Sequence, residues 1–296
     1  MRAPAFTSPL EVSIYVEGLR ARPTFFVGLF LIVHAALWTF TAWLADPTPD
    51  PKLVIGLALG REWQLGYADM PPLAAWILEI VYRAGGLLLI YALGPFTVAL
   101  TGWLVFLFAR RIVGDRHGAL AVFLMAGVHP VAFPVGAFDS DLVQMPLVAF
   151  GVLAWWHAVV QRKREGWLAL GIVFGLLAYA GGQGLFVFAA LLLLTIATAT
   201  GRAALRTNRD QIAAVAGLFL FTLLLTPRMI WLQYHGFAGA FPAPTLTGVE
   251  AANADIYSTA AVVVLGHIGL FVMVAFASRY FAPDKEIAPV FMRPPL

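Results

Sequence analysis

Residues 66–73 of the sequence read GYADMPPL and lie in the only long polar segment between its first two apolar stretches. The chain around this segment is 61% hydrophobic and only 12% charged, which is too apolar for a soluble domain with an ordinary polar surface. The 296 residues are therefore predicted to form an all-α, polytopic transmembrane bundle. There is no cysteine, which excludes disulfides and thiolate chemistry.

Apolar stretches of membrane-crossing length predict about eight spans. They cover residues 24–45, about 86–109, 118–134 with a bend at Pro130, 142–160, two spans within 167–200 that turn at 181–184, 212 to about 232, and 257–281. Two shorter stretches, 53–59 and 73–82, are predicted to lie in the membrane interface. Residues 1–23 form either an amphipathic surface segment or a loose tail. We divide the chain into a transmembrane domain at 1–281, with its first outer loop at 46–85, and a Pro-rich cytoplasmic tail at 282–296.

The distribution of basic residues predicts the orientation of these spans. With a cytoplasmic amino terminus, all but four of the 19 Lys and Arg residues fall in inner segments, which agrees with the positive-inside rule. The four outer exceptions are Lys52, Arg61, Arg83 and Arg228. The net charge of +3 is dispersed in short clusters between spans, so nucleic acid is not an expected partner.

Two groups of carboxylates converge from separate outer loops in this topology. Asp50 and Asp69 precede the second span, and Asp139 and Asp141 precede the fourth. Carboxylates at a membrane surface can accept a proton from a hydroxyl nucleophile or hold a divalent cation. The alternative is that these acids only solvate outer loops, with Asp141 capping the fourth helix.

Three other outer side chains have two interpretations each. Arg228, at the end of the seventh span, meets a lipid phosphate or a carboxylate, or else snorkels to the headgroups. His235 contacts a sugar or is simply exposed. Tyr67 belongs to a set of aromatic residues that form either an interfacial belt or a sugar-stacking platform; the others are Trp63, Trp155, Trp156, Trp231 and Tyr234.

Three motifs occur in the order of a known family. They are GYADMPPL at 66–73, FDSDL at 138–142 and WLQYHG at 231–236. Over about residues 24–240 the chain resembles the family 39/83 type of membrane glycosyltransferase, which includes protein O-mannosyltransferases, lipid A aminoarabinose transferases and rhizobial galacturonosyltransferases. The resemblance implies a GT-C fold and transfer of a sugar from a polyprenyl-phosphate donor to a lipid, polysaccharide or protein acceptor.

The resemblance also implies roles for individual residues. Asp50 is the expected base, while Asp141 with Asp139 orients the acceptor or a divalent metal, the one cofactor considered. Tyr67, Asp69 and His235 are expected to contact substrate. A contact of Arg228 with the donor phosphate is inferred from its placement alone. The expected location is the bacterial inner membrane, with membrane lipids as neighbours and the active site on the periplasmic side.

The sequence departs from the family pattern at several positions. Asp50 is followed by Pro51-Lys52 instead of a second acid, Met70 replaces a histidine, and Gly182-Gln183 replaces a Lys-Tyr pair. Relatives commonly continue with more helices, so the chain is expected to be shortened or an amino-terminal part. The alternative function is a non-catalytic relative or a transporter that binds lipid-linked sugar. Charges restricted to the ends of spans argue against a transporter.

Overall fold

The computed structural model describes residues 21–45, 48–67, 70–128, 138–181 and 184–236, and every regular element in these ranges is helical. The predicted all-α class is confirmed. The helices are α1 (Pro23–Ala45), α2 (Pro51–Gly60), α3 (Pro72–Met125), α4 (Ser140–Trp155) with a π-helical turn (Trp156–Val160), α5 (Arg164–Ala180), α6 (Gly184–Ala197), α7 (Ala199–Ala204) and α8 (Asn208–Tyr234).

Four helical segments in the described ranges are long and apolar enough to cross a membrane: α1, α3, α4 with its π-helical turn, and α8. Helices α5 and α6 are shorter, with 17 and 14 residues. The predicted break between them is confirmed, because α5 ends at Ala180 and α6 begins at Gly184. The total of eight spans stays a prediction. The eighth span, the bend at Pro130, the amino-terminal segment and the domain boundary at 281/282 lie outside the described residues.

Glycines divide α3 into three helical segments, 72–84, 87–113 and 115–125. Gly86 and Gly114 have φ values of +65° and +83°, a region that side-chain-bearing residues rarely adopt. The first segment pairs with α2, so both predicted short helices of the first outer loop are present. After Gly114 the third segment folds back on the second. The Arg110–Asp115 ion pair, with two contacts of 2.9 Å, closes this turn.

Two apolar clusters hold the bundle together. The smaller one joins α1 to α3 through Val27, Leu31, Phe106, Ala119 and Val122. The larger one joins α2 and α3 to α4, α5 and α6, and its fully buried members include Leu53, Leu78, Phe138, Phe174 and Leu177. The outer loop is thus part of the same packed core as the predicted spans.

Polar contacts collect at two opposite ends of the bundle. At one end, which we call the basic end, Arg111 contacts His157 and Gln161, Arg162 donates to the Ala203 carbonyl at 2.8 Å, and Arg164 lies 3.7 Å from Asp210. The other end, the site end, contains the outer loop 48–67, the start of α4, the α5–α6 turn and the end of α8. This arrangement matches the predicted clustering of basic residues on one side.

Helices α5 and α8 approach each other so closely that only glycine fits at the crossing. A Cβ on Gly171 would overlap the carbonyl oxygen of Gly217, and a Cβ on Gly217 would overlap that of Trp167. Small residues at such crossings are typical of helix packing in membranes.

We expect Gly171→Val to force α5 and α8 apart and to lower the free energy of unfolding by about 1–3 kcal/mol, the usual range for overpacking. Thermal unfolding of the detergent-purified protein, followed by tryptophan fluorescence, measures this loss. Ile172→Phe is the matched control, because Ile172 is 45% exposed on the same helix. An equal loss in both variants would contradict the close crossing.

Candidate active site

Tyr67 holds the outer loop in a compact turn against the end of α2. Its hydroxyl donates to the Leu59 carbonyl at 2.6 Å and accepts the Gln64 N–H at 3.1 Å. The side chain is buried, and burial raises the pKa of the Tyr67 hydroxyl, so the phenol stays protonated at neutral pH. Trp76 Nε1 also donates to the Gln64 carbonyl, at 3.1 Å. Tyr67 therefore shapes the loop, and its contact with substrate stays a prediction.

Gly66, the first residue of GYADMPPL, lets the end of α8 dock on this loop. A Cβ at position 66 would overlap the Arg228 guanidinium and the Trp231 ring. In this space Arg228 Nη1 donates to the Leu65 carbonyl at 2.8 Å. The glycine is needed because the helix and the loop backbone are in direct contact.

Arg228 is buried at this contact, with only 3% of its surface exposed. Its guanidinium carbon lies 5.2 Å from the centre of the Trp231 ring, within cation–π range. Tyr179 is close enough to Arg228 for the two to interact electrostatically. The interpretation that Arg228 snorkels to the headgroups is wrong, because protein groups surround its side chain.

Tyr179 bonds to the carboxyl-terminal part of α8, the helix that contains Pro227. The Tyr179 hydroxyl donates to the Leu224 carbonyl at 2.8 Å, one turn before Arg228. Tyr179 thus couples α5 to the segment that carries the buried cation.

The two carboxylates at the start of α4 have different environments. Asp139 Oδ1 accepts the N–H groups of Asp141 and Leu142 at 3.1 and 3.2 Å, which makes Asp139 the N-cap. The alternative that Asp141 caps this helix is therefore wrong, because the helix begins at Ser140, two residues before the Leu142 start that this role requires. The Asp141 side chain lies in the first turn and is exposed.

Lys52 brings the two acidic loops together. Asp50 is the N-cap of α2 and accepts the Lys52 N–H at 2.7 Å. The Lys52 ammonium and the Asp139 carboxylate both lie within electrostatic range of the Asp141 carboxylate. The starts of α2 and α4 are therefore neighbours at the site end.

Gln144 connects the acidic turn to the α5–α6 turn, and sequence reasoning missed it. Its Oε1 accepts the Gly184 N–H at 3.0 Å, and its Nε2 donates to the Ser140 carbonyl at 3.3 Å. The side chain is buried, so these bonds form away from solvent. A lone glutamine in an apolar span was the available signal.

Glu79 is a second missed residue and anchors the outer loop. It is buried and forms ion pairs with Arg83 at 2.7 Å and Arg61 at 3.9 Å. Gly60 lies against its Cβ, so α2 and the first segment of α3 are joined here. The spacing of Glu79 and Arg83, one helical turn apart, predicts such a pair.

Three aromatic residues, Trp63, Trp76 and Tyr179, form a continuous aromatic row at the site end. The Trp63 and Trp76 rings stack with centroids 6.4 Å apart, and Trp76 lies 5.5 Å from Tyr179. Trp63 is 46% exposed and Tyr179 is buried, so the row runs from the surface to Arg228. Trp63 has a φ of +53°, and the left-handed region costs an L-residue about 1–2 kcal/mol. Trp76 and Tyr179 were missed because ring contacts between distant helices leave no sequence pattern.

The remaining predicted residues have separate outcomes. His235 follows the end of α8, where its ring stacks on Trp231 with centroids 4.0 Å apart and its Nδ1 lies 2.8 Å from the Trp231 carbonyl. Asp69 lies outside the described residues. Within the described ranges no three His, Asp or Glu side chains form a group able to hold a metal ion. The metal role of Asp139 and Asp141 stays a prediction.

Comparison with known proteins identifies the family. The family described as dolichyl-phosphate-mannose-protein mannosyltransferase matches residues 69–231. The matched region begins within the GYADMPPL motif and ends at Trp231, the residue that packs on Arg228. No curated protein and no solved structure gives a significant match. The family match confirms the predicted class of membrane glycosyltransferase with a lipid-phosphate sugar donor. Because it covers more than half of the chain, the chain belongs to the dolichyl-phosphate-mannose-protein mannosyltransferase family.

Proposed function

We propose that the chain transfers a sugar from a polyprenyl-phosphate donor to an acceptor hydroxyl at the outer face of the inner membrane. The observation that carries the proposal is the meeting of Arg228 with the GYADMPPL loop, at the same end of the bundle as the exposed Asp141. A cation for the leaving phosphate and carboxylates for the attacking hydroxyl are the two requirements of this reaction.

Arg228 supplies the positive charge for the phosphate. A guanidinium in a buried setting interacts with an anion more strongly than one in water. Nη1 of Arg228 donates to the Leu65 carbonyl, and one face of the guanidinium lies against the Trp231 ring. These two contacts fix the orientation of the guanidinium. Preorganised charge of this kind stabilises the phosphate as it leaves with the bonding electrons.

Asp50 and Asp141 supply the carboxylates. The acceptor oxygen attacks the anomeric carbon, the bond from that carbon to the phosphate oxygen breaks, and the hydroxyl proton passes to Asp50. Asp50 Oδ1 is engaged by the Lys52 N–H, which leaves Oδ2 as the atom that takes the proton. Asp141 orients the acceptor hydroxyl, and Lys52 offsets the negative charge of the acidic turn.

The proposed orientation follows from the charges. Basic residues cluster at the end opposite to the site, and the positive-inside rule assigns that end to the cytoplasm. The amino terminus is then cytoplasmic and the site is periplasmic.

A non-catalytic binder of lipid-linked sugar is the second candidate. The observation that favours it is the use of Asp139 as a helix cap and of Tyr67 as a loop anchor, which commits two expected site residues to structure. A transporter is less well supported, since the charged residues of α1, α4 and the 87–113 segment are absent or lie at helix ends.

We expect Asp50→Asn and Asp141→Asn each to reduce transfer by about a hundredfold or more, because the loss of a positioned proton acceptor, or of the group that orients the attacking hydroxyl, typically costs that much. The assay follows radiolabelled sugar from membrane-extracted polyprenyl-phosphate donors. Glu62→Gln is the control, since Glu62 is an exposed acid of the same loop. If the wild type binds donor but transfers nothing, the non-catalytic candidate replaces this proposal.

We expect Arg228→Lys to weaken donor binding about tenfold or more, because lysine keeps the charge but loses a charge-assisted hydrogen bond and the planar fork. Gly66→Ala should act in the same direction by displacing the guanidinium. Donor dissociation constants, measured with the Asp50→Asn variant to prevent turnover, provide the readout. Arg61→Lys is the exposed-arginine control. Unchanged donor binding in both variants would remove Arg228 from the phosphate site.

A further inference from the structure

The aromatic row extends from solvent to the proposed phosphate site. Trp63 lies at its exposed end, Trp76 in the middle, and Tyr179 at the buried end beside Arg228. The apolar C–H faces of pyranose rings pack against aromatic faces, while sugar hydroxyls bond to polar groups at the ring edges. We propose that the row binds the acceptor, and that the acceptor is a glycan or glycolipid whose sugar rings stack on Trp63. This inference rests on the proposed function.

The positions of the three rings relative to Arg228 indicate which ring contacts the donor and which contacts the acceptor. A donor phosphate at Arg228 places the donor sugar next to Tyr179, because sugar and phosphate are directly linked. Trp63 is separated from Tyr179 by the intervening Trp76 ring, with centroid distances of 6.4 Å from Trp63 to Trp76 and 5.5 Å from Trp76 to Tyr179. Trp63 therefore contacts what lies beyond the donor sugar, which is the acceptor.

The backbone of Trp63 distinguishes this role from membrane anchoring. Trp63 follows the last turn of α2, where its N–H bonds to the Gly60 carbonyl at 3.3 Å. Glycine is the usual residue at a left-handed position after a helix, and a bulky residue there is an outlier. Interfacial anchoring needs no such backbone. The other described non-glycine residue with a positive φ is Arg162, at the basic end. At Trp63 the same backbone coincides with an exposed ring in the candidate site, where strained residues are often found. Trp43, on α1, is equally exposed at 47% and has helical backbone, so it represents the anchoring role.

The fixed orientation of Trp76 supports the row as a binding surface. Its Nε1 is held by the Gln64 carbonyl, in the loop that Tyr67 anchors. Trp63 stacks on this fixed ring with an interplanar angle of 26° and remains about half exposed. A rigid aromatic face binds a sugar ring without loss of side-chain freedom.

The test compares Trp63→Gly with Trp43→Ala in the full chain. Saturation-transfer NMR of the detergent-purified protein, without donor, measures binding of maltotriose, cellotriose and chitotriose. We expect the wild type to transfer saturation to pyranose C–H protons of at least one trisaccharide. Trp63→Gly should weaken that binding about tenfold, since it removes an aromatic face. Trp43→Ala should bind as the wild type does.

Thermal unfolding of each variant shows whether a loss of binding comes from the lost ring or from a loss of folding. Glycine relieves the left-handed backbone at position 63, which offsets the stability lost with the Trp63–Trp76 stacking. The unfolding midpoint of Trp63→Gly should therefore stay close to that of the wild type, and a loss of binding then reflects the lost ring. The proposal is overturned by a wild type that binds none of the trisaccharides, by equal binding in Trp63→Gly, or by transfer to a Ser/Thr peptide that Trp63→Gly leaves unchanged. Because binding is measured without donor, saccharide binding in a chain that transfers no sugar would refute the proposed function and leave the row intact.

Discussion

The burial of Arg228 against the GYADMPPL loop is the interaction on which the site end depends. Removing a guanidinium from water costs several kcal/mol unless protein groups compensate for it. The compensation visible here comes from the Leu65 carbonyl, the Trp231 face and the nearby Tyr179. These groups reach Arg228 because residue 66 has no side chain. One contact, between residues 163 positions apart in sequence, thus joins the first outer loop to the last described helix.

Glycines determine the shape of the outer loop. They interrupt a long apolar stretch that would otherwise form one continuous helix. The turn at Gly85 and Gly86 separates 72–84 from the following segment and lets it pack beside α2. Glu79 then lies inside this helix pair with its arginine partners at the surface. Tyr67 closes the loop over the end of α2. The loop is therefore a folded part of the core and provides a rigid base for the residues on it.

Sequence patterns predict those parts of the structure that depend on local properties of the chain. Apolar length predicts 24–45 as a span, and α1 covers Pro23–Ala45. The glycine cluster predicts the turn at 181–184, where Gly181 has a φ of +145°. The sequence offers Asp141 as one possible cap of α4, whereas the cap is Asp139, because two acids lie near the start of the helix and its first residue cannot be located that closely from sequence. Whether Arg228 meets lipid or protein depends on distant contacts, and no local pattern contains them. Gln144, Trp76 and Tyr179 could not be predicted as site residues for the same reason, because their contacts are with residues distant in sequence.

Two locally unfavourable features lie at the site end, and the left-handed backbone of Arg162 is a further one at the basic end. Arg228 is a buried cation, and Trp63 occupies a backbone region that normally requires glycine. Between the two ends, the apolar clusters and the glycine crossing of α5 and α8 follow ordinary packing rules. A sequence selected for stability alone would place glycine or asparagine at position 63 and an apolar residue at position 228. The two exceptions at the site end lie at opposite ends of one aromatic row, so the stability that these two cost is linked to a single surface. Such local violations, supported by an otherwise regular scaffold, are typical of functional sites.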